Sequence, residues 1–335
     1  MKSSVLIIWA AGIILLAALA LAAIAYGAVA IAPGDVARVL MRPIISIPDD
    51  HVAAPIARII LDLRLPRVFL AALVGAGLAV VGCLLQTVTR NDLADPFLFG
   101  LSSGAAAGAV SVITIFGDRL GVWTLPIAAF AGALLSALVL LGLVSRQAGK
   151  GAEQLIIAGL AVSFLFGALT TWLVFAGDQR AAYSVMFWSV GGLGLANWSN
   201  LPIAVFGTGL ALAAGLALSG KLDALLAGEE TAESLGVDVF RLRIIVLVVS
   251  ALATASLVAL SGVIGFVGLM IPHLARGVVG VRHAVLIVTA GLMGAVFLLG
   301  GDLLSRILLA PQELPVGIIT ASAGGAFVLV AVLKS

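Results

Sequence analysis

Apolar runs of about 20 residues recur along almost the whole chain, and each is long enough to cross a lipid bilayer as a helix. They fall at 7–31, 65–88, 97–116, 122–144, 155–175, 201–218, 244–279, 284–308 and 314–333. At about 1.5 Å of rise per residue, the 244–279 block is too long for one crossing. Ser261-Gly262 interrupts it, and a split there predicts ten spanning helices with both chain ends on one side. Left unsplit, the block would give nine helices and opposite ends. The first run exceeds the ~7–15 residue core of a signal peptide, so it reads as a retained helix. The expected architecture is an all-α polytopic membrane protein, a single transmembrane domain over 1–335.

Charge supports this reading. Only 10% of the 335 residues are charged and 62% are hydrophobic, whereas a soluble domain carries about 25% charged residues. A water-soluble enzyme is excluded. A net charge of +2 gives no electrostatic footprint for nucleic acid. The single cysteine, Cys83, can build neither a disulfide framework nor a metal cage. His51, His273 and His283 are scattered and lack metal-ligand spacing. Neither a catalytic set nor a metal site is expected. Gly215 to Lys221 imitates a phosphate-binding loop, but Leu222 follows where Ser or Thr would hold magnesium, and no strand precedes it. Nucleotide binding is not expected of this chain. Its many glycines, among them Gly104, Gly108, Gly262, Gly265 and Gly268, suit helices that pack through small residues.

The positive-inside rule tests the topology. With a cytoplasmic N-terminus, all four lysines (Lys2, Lys150, Lys221, Lys334) fall on the cytoplasmic side. The first outer loop breaks the rule with Arg38, Arg42, Arg58, Arg64 and Arg67, and Arg119, Arg180 and Arg306 share its side. Two explanations stand: local pairing with Asp35, Asp49, Asp50 and Asp62, or a basic landing surface for an acidic partner. Within the spans, Asp302 follows Gly300-Gly301. It could cap a glycine break or pair with Arg306 one helical turn on. An ion-coupled carrier would show more buried carboxylates than this.

Residues 221–243 carry the densest charge in the chain, with apolar positions at Leu222, Leu225, Leu226, Leu235 and Val239. The pattern predicts one or two short amphipathic helices broken at Gly228 and Gly236. A plain connection could be much shorter, so the segment reads as a docking element. There is also an internal echo. Arg64-Leu65-Pro66-Arg67 opens one apolar stretch and Arg241-Leu242-Arg243 opens another from the opposite side. An inverted repeat of helices 2–5 and 7–10 follows.

Several stretches then carry a family resemblance. They are Arg64-Leu65-Pro66-Arg67, Gly75-Ala76-Gly77-Leu78-Ala79 with Gln86, and Asn91-Asp92-Leu93-Ala94-Asp95-Pro96. Gly100-Leu101-Ser102-Ser103-Gly104-Ala105, the run from Gly265 to His273, and Glu313-Leu314-Pro315-Val316-Gly317 complete the set. Together they resemble the permeases of type II ABC importers for ferric siderophores, haem and cobalamin. The match spans roughly 64–333. It departs at Asp92, where the family usually has proline, which leaves the loop less fixed in φ.

The resemblance implies a homodimer with a path along its axis, two ATP-hydrolysing subunits below and a periplasmic substrate-binding protein above. ATP and magnesium would sit on the partner subunits; no cofactor is implied for this chain, which would be a permease and not an enzyme. Docking of the binding protein falls on Arg64, Arg67 and Arg306. ATPase coupling falls on Leu222, Leu225, Leu226, Gly228, Glu229, Glu230, Leu235 and Gly236. The cytoplasmic gate falls on Ala152, Glu153 and Gln154. The fifth and tenth helices and residues 181–190 would line the path, with Ser163, Thr170 and Thr171 as polar exceptions. The implied location is the bacterial inner membrane, multi-pass, with both termini cytoplasmic. An apolar path suits haem, ahead of a ferric siderophore or cobalamin. The competing class is an ion-coupled secondary transporter, which needs no ATPase; a purely structural membrane protein gives no reason for the outer arginines.

Overall fold

The computed structural model describes residues 2–27, 29–42, 52–116, 121–146, 152–177 and 179–334. Asp49, Asp50, His51, Arg119 and Lys150, which entered the charge argument, lie outside the described residues. The described chain is helical: α1 (Lys2–Ala25), α2 (Pro33–Met41), α3 (Ala54–Arg58), α4 (Leu65–Thr89), α5 (Leu101–Ser111), α6 (Thr124–Ser145) and α7 (Ala152–Ala176). There follow α8 (Gln179–Val190), α9 (Leu201–Leu226), α10 (Glu229–Ser234), α11 (Val239–Ser261), α12 (Val267–Val279), α13 (His283–Ile307) and α14 (Val316–Lys334). Among the described residues seven apolar helices are long enough to cross a membrane, and three shorter ones start at Leu101, Val267 and Val316. These are the ten expected. The 244–279 block breaks at 262–266, next to Ser261, where Gly262 takes φ 62° and Phe266 takes φ 68°.

The inverted repeat shows in who touches whom. α4 packs on α13 as α11 packs on α6. α5 lies on α6 and α7 as α12 lies on α13 and α14, and α5 meets α11 as α12 meets α4. Exchanging α4–α7 with α11–α14 therefore preserves these contacts, although the α4–α7 and α9–α13 contacts have no comparable counterparts. The two half-length helices even start alike: Gly100, before α5, and Phe266, before α12, are both left-handed.

Small residues make this packing possible. A side-chain carbon on Gly82 would collide with the backbone carbonyl of Gly268, and one on Gly75 with that of Gly294. The α4–α12 and α4–α13 crossings are backbone-to-backbone contacts that an alanine would wedge apart. α4 sits at the centre, almost entirely buried from Val74 to Thr89.

One end of the bundle gathers the C-terminal end of α1, the start of α4 and the end of α13, where Arg64 and Arg306 both bond to α1 carbonyls. The other end gathers the close of α4, the start of α13 and the α9–α10–α11 turn. α1 finishes and α14 begins at the arginine end, so both chain termini lie with the α10 end, as an even helix count requires. Residues 215–221, the imitation phosphate loop, are continuous helix within α9.

Candidate functional site

At the first end, Arg64 and Arg67 join the distant Arg306 in lining one cleft of about 340 Å³ with Glu313. Arg67 sits in the first turn of α4, just past Pro66, where the continuous helix from Ala54 changes from π-helical turns over Ile59–Arg64 to α-helix. Its Nε donates to Asp302 Oδ1 at 2.9 Å and its Nη1 to Glu313 Oε2 at 2.8 Å. Asp302 is wholly buried and also pairs with Arg306, Nη2 to Oδ2 at 3.0 Å. The pairing of Asp302 with Arg306 one turn on is as expected; the stronger hydrogen-bonded partner, Arg67, comes from another helix.

Arg64 and Arg306 are only 8% and 3% exposed. Arg64 donates to the carbonyls of Ile24 at 2.5 Å, Ala25 at 3.0 Å and Val29. Arg306 donates to Ala23 O at 2.9 Å. A helix C-terminus leaves its last carbonyls unpaired and partially negative, so cations there are favoured. The structure thus brings the three arginines together but turns two of them inward, onto α1. The acidic residues expected to neutralise them play a smaller part: Asp35 pairs with Arg38 at 3.5 Å.

At the opposite end the expected break points hold, with Gly228 at φ 117° and Gly236 at φ 81° bounding α10. Lys221 to Leu226 is the last stretch of α9 and not a separate helix. Leu222 and Leu225 are wholly buried and belong to the core with Leu84 and Leu85. They anchor the segment and do not present a docking face, a correction that follows from α9 continuing in register. Of the expected coupling residues the exposed ones are Leu226, Glu230, Leu235 and Gly236; Leu235 is 68% exposed on the turn that closes α10. Glu229 faces inward, accepting from Arg243 Nη2 at 2.6 Å, while Arg243 Nε also donates to Val88 O at 3.2 Å.

Ala152, Glu153 and Gln154 open α7, with Glu153 exposed. Along α7, Ile157, Phe164, Trp172 and Phe175 project from the monomer. Ser163 Oγ donates to Phe97 O at 3.0 Å, Thr170 Oγ1 to Phe166 O at 2.8 Å and Thr171 Oγ1 to Gly167 O at 3.0 Å. These hydroxyls donate to backbone, which leaves only their oxygens to accept at the surface.

Sequence reading missed the polar joints at the end of α4. Arg276 Nη2 donates to Gln86 Oε1 at 2.5 Å and its Nη1 pairs with Asp92 at 3.1 Å. The residue that departs from the family pattern, Asp92, therefore has an ionic partner. His283 is 0% exposed; its Nδ1 lies 2.7 Å from Asp223 Oδ1 and its Nε2 lies 2.7 Å from Thr87 Oγ1. The carboxylate can only accept, so Nδ1 carries a proton. The available signal was an ionisable residue at the mouth of a span, which is costly unless paired.

Asp95, outside the helices in the 90–100 stretch, is buried, and burial pushes its carboxyl up to about 6 although Phe97 N–H donates to it.

The model of the FecCD transport family matches residues 14–334. The chain is 41% identical over 271 residues to the cobalamin import system permease protein BtuC of Halobacterium salinarum, covering 80% of this chain and 71% of that one. It is 39% identical over 277 residues to the hemin transport system permease protein HmuU of Yersinia pestis, covering 82% and 83%. A solved structure of a metal-chelate type ABC transporter in an inward-facing conformation superposes with TM-score 0.83 at 32% identity, over 98% and 99% of the two chains. The chain is an ABC importer permease and belongs to the FecCD transport family.

Proposed function

We propose that this chain forms the haem-conducting half of an ATP-driven importer working by alternating access in a bacterial inner membrane. Two copies enclose a path. ATP-binding subunits, which hold the ATP and magnesium, engage the cytoplasmic end at Leu226, Gly228, Glu230, Leu235 and Gly236. A substrate-binding protein with acidic lobes engages the periplasmic end around Arg64, Arg67 and Arg306. Both termini are cytoplasmic. Ala152, Glu153 and Gln154, at the cytoplasmic start of α7, form the gate.

The observation that carries the haem reading is the outward face of α7. Phe164, Trp172 and Phe175 stand out from it, and Ser163, Thr170 and Thr171 have no free hydroxyl donor. Such a wall accommodates a planar apolar macrocycle and offers little to a highly charged chelate, whose desolvation it would not repay. Cobalamin import is the second reading, favoured by the 41% identity to a cobalamin permease.

The test is uptake by proteoliposomes holding the permease and its ATP-binding subunits, with ATP inside. Haem, cobalamin and a ferric siderophore are added separately, each with its binding protein. ATP-dependent accumulation of haem alone supports the proposal. Accumulation of cobalamin alone moves the assignment to the second reading. Transport driven by an ion gradient without ATP overturns both.

A further inference from the structure

Two helices reach from one end of the permease to the other and are fastened together at both. α4 and α13 run antiparallel in close contact along their lengths, with Gly75 against Gly294 near the middle. At the arginine end they are joined by Arg67 and Asp302, 2.9 Å apart. At the α10 end they are joined by Thr87 and His283, 2.7 Å apart. Twenty-five residues of α4 make a rod of roughly 37 Å at 1.5 Å per residue.

The second fastening has a third member. Asp223, from the last turns of α9, accepts from both the backbone N–H of His283 at 2.9 Å and its ring Nδ1 at 2.7 Å. Three residues on, Leu226 is exposed, and α10 follows after Gly228. His283 is thus held by α9 on one nitrogen and by α4 on the other. It is wholly buried at the mouth of a span, so both ring nitrogens depend on these partners.

We propose that Asp223 and His283 are positioning residues that grip the α4–α13 pair, so that displacement of the α9–α10 turn moves both helices as one strut. The inference rests on the permease reading above, since it assigns a use to motion that ATP-binding subunits would supply. Asp223, its side chain 35% exposed, accepts two hydrogen bonds from the fully buried His283. Loss of that acceptor leaves two buried donors unpaired and lets the turn move without the strut.

The experiment uses the complete permease–ATPase complex in proteoliposomes and reads ligand delivered per ATP hydrolysed. The probe is haem, or cobalamin if that is what the wild type accumulates. Asp223→Ala and His283→Phe should lower this ratio at least fivefold. ATP hydrolysis in the absence of the binding protein should stay within twofold of wild type. Asp223→Asn keeps an oxygen acceptor and should retain more than half the wild-type ratio. A wild-type ratio in Asp223→Ala or His283→Phe overturns the proposal, as does an Asp223→Asn variant that falls as far as Asp223→Ala. If His283→Phe does not assemble, Thr87→Val cuts the same link at constant shape and is judged by the same fivefold criterion. A wild-type complex that accumulates no ligand with ATP points to failure of the permease reading itself, which separates the two.

Discussion

The two ends of this bundle solve the problem of charge in a membrane protein in opposite ways. At the arginine end three guanidiniums, one buried carboxylate and one exposed carboxylate close on each other and on the carbonyls of α1. Nearly every charge there is spoken for within the monomer. At the α10 end Glu229 pairs with Arg243 and Asp223 holds the His283 ring on the inside, while Arg241 and Asp238 make an exposed surface pair. The outer tip is left to Leu226, Glu230 and Leu235. The first end is a locked cluster that a partner must compete for. The second is a braced knob with its contact surface already free. A partner at the arginine end has to offer carboxylates good enough to replace Asp302, Glu313 or the α1 carbonyls. A partner at the α10 end needs only a pocket for an exposed leucine.

The largest expected break comes from Asp302→Ala. It strands Arg67 and Arg306 without their shared carboxylate, and removing one partner of a buried ion pair costs about 3–5 kcal/mol. The yield of monodisperse protein and its thermal unfolding in detergent should both fall sharply; an unchanged melting curve would show that the cluster is not locked.

Asp95 comes next, a buried carboxyl belonging to neither end. Its folded value is raised to about 6, so the ionised form is penalised in the folded state. The penalty is absent below the ordinary carboxylate range near pH 4, grows between pH 4 and 6, and is complete above, at up to about 3 kcal/mol. Unfolding midpoints at pH 5 and pH 7.5 should show Asp95→Asn gaining on wild type as pH rises. A constant gap between the two proteins would remove the raised carboxyl from the account.

Leu235→Asp should leave permease stability unchanged, because the side chain is 68% exposed, while weakening association with the ATP-binding subunits about tenfold, as loss of an apolar anchor does. Co-purification at graded concentration checks it, and equal retention of the subunits would move the contact elsewhere. The smallest effect belongs to Glu313→Gln. Its pair with Arg67 is at the rim, and rim pairs contribute below about 1 kcal/mol to stability. The same change frees Arg67, so affinity for an acidic partner should rise slightly in a binding titration; a fall would mean that Glu313 itself touches the partner.

Much of this architecture was legible in the sequence. The ten helices, the break beside Ser261, the glycine hinges at 228 and 236 and the convergence of Arg64, Arg67 and Arg306 all follow from run length, turn chemistry and motif resemblance. What was not legible was facing. Leu222 and Leu225 look like the apolar face of a docking helix, yet they are core because α9 continues through them. Ser163, Thr170 and Thr171 read as polar path residues from the sequence, but that their hydroxyl protons go to backbone carbonyls shows only in the packed helices.

The sequence by itself determined that the chain folds into ten apolar helices, where it turns, and how close those helices can come. Those are properties of run length and residue size. Only the tertiary structure decided that Asp302 binds Arg67 across 235 residues and that His283 joins α9 to α4. A helix that is apolar all round carries no stripe to say which side faces a neighbour. The partners of its few charges are fixed only when the bundle packs, because an unpaired charge at that depth has no water to turn to.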